Sequence, residues 1–395
     1  MIANRYPEKE LDSSNIAILN GILIAMNLRK KEMDISISVN LPSFTIGPDA
    51  YDDIKKYAGF AGEKVAIIGG QTALEKALPR LKPAIQAAGL TITAIEWYGG
   101  EASYSNIDHL AALNQVQAAD MIFAVGGGRA IDTGKTVSAK LEKPVFTFPT
   151  IASNCAPTSA VCVLYNDDHE SAGSYRLHAP AVHSFSDSTI IAEAPEQYIW
   201  AGIGDAISKE MEVSFSAEGR ELAYNNTIGV HIVQGANQRV LKNGLAALEA
   251  AKAHQESPAI DNILFEILGT TSYTSVLVDH DYNGHFAHSF YYGVTVLPQG
   301  ERHLHGEIVS YGVLIVLQLA KKYDELKEIR DFMISVGLPT SLKALEIESD
   351  EDLKTVLDKA FTLDHIQTSP FEINRQMVEE AIRKVEKLNH SFDAL

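Results

Sequence analysis

The strongest constraint in this chain is an alternation between short apolar runs closed by glycine and longer helical patterns. GEKVAIIGG, residues 62–70, is an apolar strand ended by two glycines. The helical pattern QTALEKALPRLKPAIQAAG follows at 71–89, then the β-rich run LTITAIEW at 90–97. A helical stretch, NIDHLAALNQVQAA at 106–119, precedes the strand DMIFAVGGG at 120–128. The helix AIDTGKTVSAKL at 130–141 then leads into PVFTFPT at 144–150. Strands separated by helices of this length predict βαβ units and a parallel sheet. After about residue 195 the strands fade. The spans 228–254, 310–337 and 374–390 instead carry long helical periodicity. The expected fold is an N-terminal α/β domain with a parallel sheet, 33–197, joined to an all-α C-terminal helical bundle, 198–395.

Composition narrows the functional classes. Apolar residues make up 46% of the 395 and charged residues 21%, as in an ordinary globular protein. The formal net charge is −18 and no basic block appears, which argues against nucleic acid and anionic membranes as partners. No apolar run is long enough to span a bilayer. Two cysteines, Cys155 and Cys162, imply no disulfide framework and fit a reducing cytoplasm. Residues 1–32 read as an extension ahead of the globular body. Their apolar stretch is preceded by acidic EKELD, which is not the pattern of a signal peptide.

Three stretches carry chemistry. AVGGGRAIDTGK, 124–135, is a strand, three glycines and a helix start. Glycine lets a ligand approach the backbone, and the first helical N–H groups are free to bind an anion. It matches neither GxGxxG nor the P-loop, and a tight turn with no ligand is the plain alternative. FPTIASNCAPTSAVCVLYN, 148–166, crowds small and hydroxylated residues at the next strand exit. Ligands of open parallel sheets bind outside the carboxyl ends of the strands, so an extended, phosphate-bearing ligand such as a dinucleotide fits. The bland alternative is local Ser/Thr bonding to the backbone. In the helical half, His280, His285, His288, His303 and His305 cluster within 26 residues, and imidazole is a common metal ligand. Spacing alone does not say which would bind, and His303 reads equally well as a solvated turn residue. Asp205, in GIGDAISKEMEV, reads first as a helix cap.

GGGRAIDTGK, PTIAS, GIGDA at 202–206 and the histidine segment, in this order along the chain, together resemble the glycerol-dehydrogenase branch of the iron-containing alcohol dehydrogenase superfamily. TIA-x-x-CA, VLYND and GVTVLPQ followed by LHG are most similar to hydroxycarboxylate dehydrogenases. The resemblance spans roughly residues 44–395. It implies a Rossmann-like N-terminal domain, a helical C-terminal domain, and a dinucleotide (NAD or NADP) meeting a catalytic metal in the cleft between them. By the same resemblance Asp205, His288 and His305 are the metal ligands. Iron-type members place a fourth ligand, histidine, one turn after the aspartate. Lys209 stands there, which favours zinc over Fe(II). Gly126, Gly127 and Gly128 would cradle the pyrophosphate, with Arg129 and Asp132 nearby. Thr150 and Ser153 would approach the adenosine or nicotinamide side, and Ser159, Val161 and Tyr165 would line the nicotinamide pocket. No acidic residue follows the first strand at Gly69-Gly70-Gln71, so nothing there repels a 2′-phosphate.

The implied reaction is hydride transfer between a small hydroxy compound and a nicotinamide, with the metal polarising the substrate oxygen. No side chain stands out as a general base. Polyol-oxidising relatives carry aspartate where Cys155 stands; its loss favours a 2-hydroxy/2-oxo acid, and glycerol is the alternative substrate. A dehydroquinate-synthase-like lyase would need several basic residues near the metal, and only Arg302 is found there. A binding protein without catalysis is a further alternative. A homo-oligomeric enzyme acting on a small-molecule substrate is expected.

Overall fold

The computed structural model describes residues 38–167 and 171–390. The 1–32 extension lies outside the described residues. Ser38 and Val39 are exposed and belong to no element. From Asn40 onward the chain forms one compact unit.

Eight strands occur among the described residues: β1 (Phe44–Gly47), β2 (Lys64–Gly69), β3 (Thr91–Trp97), β4 (Met121–Gly126), β5 (Val145–Pro149), β6 (Val161–Tyr165), β7 (Ser171–Arg176) and β8 (His183–Asp187). Six of them make a sheet in the order β1-β8-β5-β4-β2-β3, every neighbouring pair parallel. β6 and β7 form a separate antiparallel hairpin. The central strands are apolar on both faces because both faces are covered. Val65, Ile67, Phe123, Val125, Phe146 and Phe148 belong to one core layer. Ala66, Ile68, Ile122 and Ala124, the alternate residues, belong to the other.

The order of the strands places the ligand crevice. The chain goes from β2 outward to β3, then crosses back to β4 on the other side of β2. Two exits therefore diverge side by side, Gly69–Gln71 after β2 and Gly126–Gly128 after β4. The Gly70 N–H donates to the Val125 carbonyl at 3.3 Å, which ties the two exits together. A crevice at such a reversal is the ligand site of open α/β sheets.

Five helices carry the rest of the argument: α1 (Gln71–Ala87), α2 (Gly128–Lys140), α3 (Gln197–Ala217), α4 (Phe286–Val294) and α5 (His305–Leu319). α3 and α5 are buried almost all round, as core helices must be. Ile203, Ile207, Met211 and Phe215 share one hydrophobic cluster with Val309, Val313 and Leu317. Ala152, from the loop after β5, belongs to the same cluster, so the sheet's exit loop is packed into the helical half. Among the described residues no helix is long and apolar enough to cross a membrane.

Three long helical spans read from the sequence are interrupted. The 106–119 stretch is two helices, Tyr104–Ala112 and Asn114–Gln117, separated by an extended Leu113. The 228–254 span breaks at Gly235 (φ +75°) and the 310–337 span near Lys321 (φ +58°). Periodicity persists across a left-handed residue although the hydrogen-bond ladder does not.

His183, on β8, is fully buried. Its ring stacks on Tyr57 at 3.7 Å, and its nitrogens bond the hydroxyls of Ser43 (2.7 Å) and Thr45 (2.9 Å). Burial pushes its pKa down from 6.5 to about 4, with Asp53 in partial opposition. Between those two pH values the unfolded chain binds the proton and the folded chain does not, so stability is lost as pH falls from 6.5 towards 4. His183→Gln is expected to weaken the fold at neutral pH yet to flatten this acid-side loss. Urea midpoints across that range check it, and parallel curves for parent and variant would contradict it.

Candidate active site

Asp205 does not cap a helix. It lies in the middle of α3, eight residues past its start. The glycines before it serve close approach instead. A Cβ on Gly202 would stand 2.0 Å from the Ala152 carbonyl oxygen, and one on Gly306 would stand 1.8 Å from that of Ala201. The loop after β5 and the first turn of α5 therefore rest directly on the backbone of α3. His305, first residue of α5, is delivered to Asp205 by that contact: its Nε2 is 3.2 Å from Asp205 Oδ1. His288, in the first turn of α4, places Nε2 at 3.8 Å from the same oxygen. One donor atom from each of the three lies within 4.8 Å of the others. Asp205 is buried, and the two imidazoles are partly exposed. Tyr291 sets its ring against the face of His305 at 4.2 Å, edge to face.

The remaining histidines of the segment are not in this group. His285 is fully buried and bonds Ser369 Oγ at 2.7 Å; burial pushes its pKa down to about 4. His303 is no solvated turn residue. Its Nδ1 is 2.9 Å from Glu307, whose other oxygen accepts the Leu304 N–H and starts α5.

Glu212 was not singled out from the sequence. It is completely buried on α3, two turns after Asp205 and hence on the same face. Oε1 accepts the N–H groups of His285 (2.8 Å) and His288 (3.0 Å) at the start of α4, and Oε2 is 2.5 Å from His288 Nδ1. One carboxylate thus caps α4 and directs Nε2 of His288 towards Asp205. Burial pushes Glu212 up, but His288 and the backbone bonds outweigh it and hold its pKa near 2. Asp205 likewise resists burial and stays below the usual carboxylate range, chiefly through His305 and then His288. Lys209, on the same face of α3, donates to the carbonyl (2.9 Å) and side-chain oxygen (3.1 Å) of Asn283. The i+7 spacing of Asp205 and Glu212 was the one available signal for this carboxylate.

The glycine turn stands at the other side of the crevice. Gly126 has φ +142°, open to glycine and strained for other residues. Its carbonyl accepts the Thr150 N–H at 3.2 Å. α2 begins at Gly128, so its first N–H groups, which have no partner within the helix, lie at the carboxyl end of the central strand β4. Arg129 is half exposed, pairs with Glu101 at 3.2 Å and lies 5.2 Å over the Tyr165 ring. Ser153 is partly exposed in the following loop. Asp132 departs from expectation: it is turned inward, 3.0 Å from Lys135 Nζ, and accepts the Val163 N–H. It shapes the protein rather than facing a ligand. Ser159 is buried and donates to the Val161 carbonyl, which also accepts from Lys135. Burial, reinforced by nearby Asp205, pushes the Cys155 thiol up. Arg302 is exposed and spent on Glu346.

The sequence profile of iron-containing alcohol dehydrogenases matches residues 42–184. The glycerol dehydrogenase of Thermotoga maritima is 32% identical over 270 residues, 67% of this chain and 73% of that protein. Hydroxycarboxylate dehydrogenase A of Escherichia coli is 29% identical over 324 residues, 81% and 88% of the two chains. The crystal structure of a probable glycerol dehydrogenase from Sinorhizobium meliloti superposes with a TM-score of 0.78 at 26% identity, covering 90% of this chain and 99% of that one.

The Gly306 contact is backbone against backbone, which cannot yield as a flexible side chain would. Gly306→Ala is therefore expected to cost at least ~1–3 kcal/mol of stability, read as a lowered Tm. An unchanged Tm would show that α5 can step away from α3 freely.

Proposed function

The chain belongs to the glycerol-dehydrogenase-like branch of the iron-containing alcohol dehydrogenase superfamily and is a dehydrogenase; from that premise we propose that it interconverts a small polyol such as glycerol with its ketone, using a nicotinamide dinucleotide and one divalent metal ion. The convergence of Asp205, His288 and His305 within 4.8 Å carries this reading. One carboxylate and two imidazoles suit a catalytic metal with open positions, and ligand bonds of ~2.0–2.2 Å require only a small contraction of the group. Glu212 accepts the Nδ1–H hydrogen bond of His288 and so leaves Nε2 as the electron-pair donor, a carboxylate–histidine arrangement found behind metal ligands. Zinc is the ion proposed, because Lys209 occupies the position of a fourth nitrogen ligand. When bound, such an ion polarises the substrate oxygen. A nicotinamide dinucleotide held at the glycine turn would supply the hydride chemistry.

The chain's own residues supply orientation. The Gly126–Gly128 turn and the first N–H groups of α2 suit a pyrophosphate. Arg129 and Tyr165 flank the same opening, and Thr150 and Ser153 follow at the next strand exit. In this reading 33–197 is the dinucleotide half and 198–395 the metal half. The absence of an acidic side chain at Gly70 leaves both NAD and NADP acceptable.

Cys155 supports a second reading, a 2-hydroxy/2-oxo acid as substrate. Its thiol is held neutral by burial and by Asp205. It offers a polyol hydroxyl a much weaker acceptor than a carboxylate would, and it does not repel an acidic substrate. The similarity to hydroxycarboxylate dehydrogenase A points the same way.

Asp205→Asn and His288→Ala are expected to lose the metal and turnover together while retaining dinucleotide binding, measured by elemental analysis and quenching of NADH fluorescence. Turnover at the parental rate in metal-free variants would refute the site. A panel of polyols and 2-oxo acids with both dinucleotides separates the two substrates: glycerol is expected to give the higher kcat/KM, and Cys155→Asp to raise it further. A 2-oxo acid preferred by the parent, and lost in Cys155→Asp, would decide for the second reading.

A further inference from the structure

Lys135 lies two turns into α2, with no solvent exposure at all. Its ammonium donates to the carbonyls of Ala156 (2.8 Å), Ser159 (3.3 Å) and Val161 (2.8 Å) and pairs with Asp132 at 3.0 Å. Burial works against the charge, but Asp132 prevails and Lys135 stays protonated. All three carbonyls belong to the segment that runs from the end of β5 to β6. That segment has a second attachment. Thr158 Oγ1 lies 2.7 Å from both the Leu268 carbonyl and Ser272 Oγ. Leu268 sits in a π-helical turn, Phe265–Thr270, where the ordinary ladder is interrupted. Immediately before these attachments stand Asn154, whose amide is 3.5 Å from where a Cβ on Gly128 would be, and Cys155, beside Ser272.

Three carbonyls converging in a dry interior need donors, and the helix ladder supplies none. An apolar pair of similar volume could replace the ion pair itself with little loss of stability, but it would take a donor from the three carbonyls. The fixed ammonium therefore satisfies these carbonyls and, in doing so, fixes the geometry of the segment that carries them.

We propose that Lys135 is a positioning residue: from inside α2 it holds the 154–161 segment so that Asn154 and Cys155 stand between the glycine turn and Asp205. The dinucleotide part of this inference rests on the proposed function; the placement of Cys155 does not.

The test uses the full chain and the double variant Asp132→Leu/Lys135→Met, which removes both charges and the tether while leaving no charge buried alone. Three quantities are read: Tm, the KM and kcat for the dinucleotide, and the rate of Cys155 alkylation by N-ethylmaleimide followed by peptide mass. The expected result is a folded protein whose KM for the dinucleotide rises about tenfold or more with a smaller change in kcat, and whose Cys155 reacts several times faster. A folded double variant with parental KM and parental alkylation rate would overturn the proposal. If the apolar pair does not accumulate folded, Asp132→Asn/Lys135→Gln is read in the same way, since glutamine keeps donors but is too short to reach all three carbonyls. If the parent binds no dinucleotide, the proposed function fails, and the alkylation rate alone decides the role of Lys135.

Discussion

The site depends on two helices meeting without side chains between them. α5 starts on the backbone of α3 because Gly306 presents no Cβ to Ala201, and the loop after β5 reaches α3 because Gly202 presents none to Ala152. Ordinary helix pairs stand ~8–10 Å apart, held off by their side chains. Here backbone meets backbone at Gly306, and Asp205 and His305, 100 residues apart in sequence, come within 3.2 Å. Any Cβ at these positions would separate the carboxylate from the imidazole before altering either group's chemistry.

The second imidazole arrives by a different route. α4 has no side-chain cap of its own, and Glu212 of α3 takes that place from 76 residues away. The same carboxylate receives the backbone N–H groups that begin α4 and the ring nitrogen of His288. Helix orientation and imidazole orientation are therefore set by one buried charge. Burying a carboxylate costs several kcal/mol unless it is fully bonded. Three donors on one side of α4 offset that cost, and Lys209 lies one turn before it on α3.

Across the crevice the sheet does the positioning. The reversal between β2 and β4 opens two exits side by side, and the glycine turn at 126–128 keeps its backbone accessible there. The 150–161 segment then bridges the two halves. Ala152 packs in the helical core, Thr158 bonds a π-helical turn, and Lys135 holds the segment from below. Joined in this way, the two halves keep a constant spacing between the glycine turn and Asp205.

Much of this was legible in the sequence. Strands with glycine exits, the helical second half, the Gly126–Gly128 turn and the histidine-rich segment are local patterns, and local patterns follow from period and from glycine's freedom. The resemblance of GIGDA and the histidine motifs to one superfamily narrowed five histidines to two. Other features could not be read locally. Asp205 resembles a helix cap until its glycines are seen against Ala152 and Gly306. Asp132 sits in the right motif but faces inward, because Lys135 and the Val163 N–H lie on that side. His303 reads as solvated until Glu307 is found beside it. Glu212 and Lys135 are unremarkable charges in helical sequence, and each acquires its role from partners across the fold. The sequence by itself determined the alternation of β2 to β5 with helices, the helical second half and which residue types are on hand for chemistry, since those depend on neighbours along the chain; β1, β8 and the β6–β7 hairpin were not legible there. Only the tertiary structure decided which of those residues meet, because a carboxylate's or an ammonium's partners are set by distances in space between segments far apart in sequence.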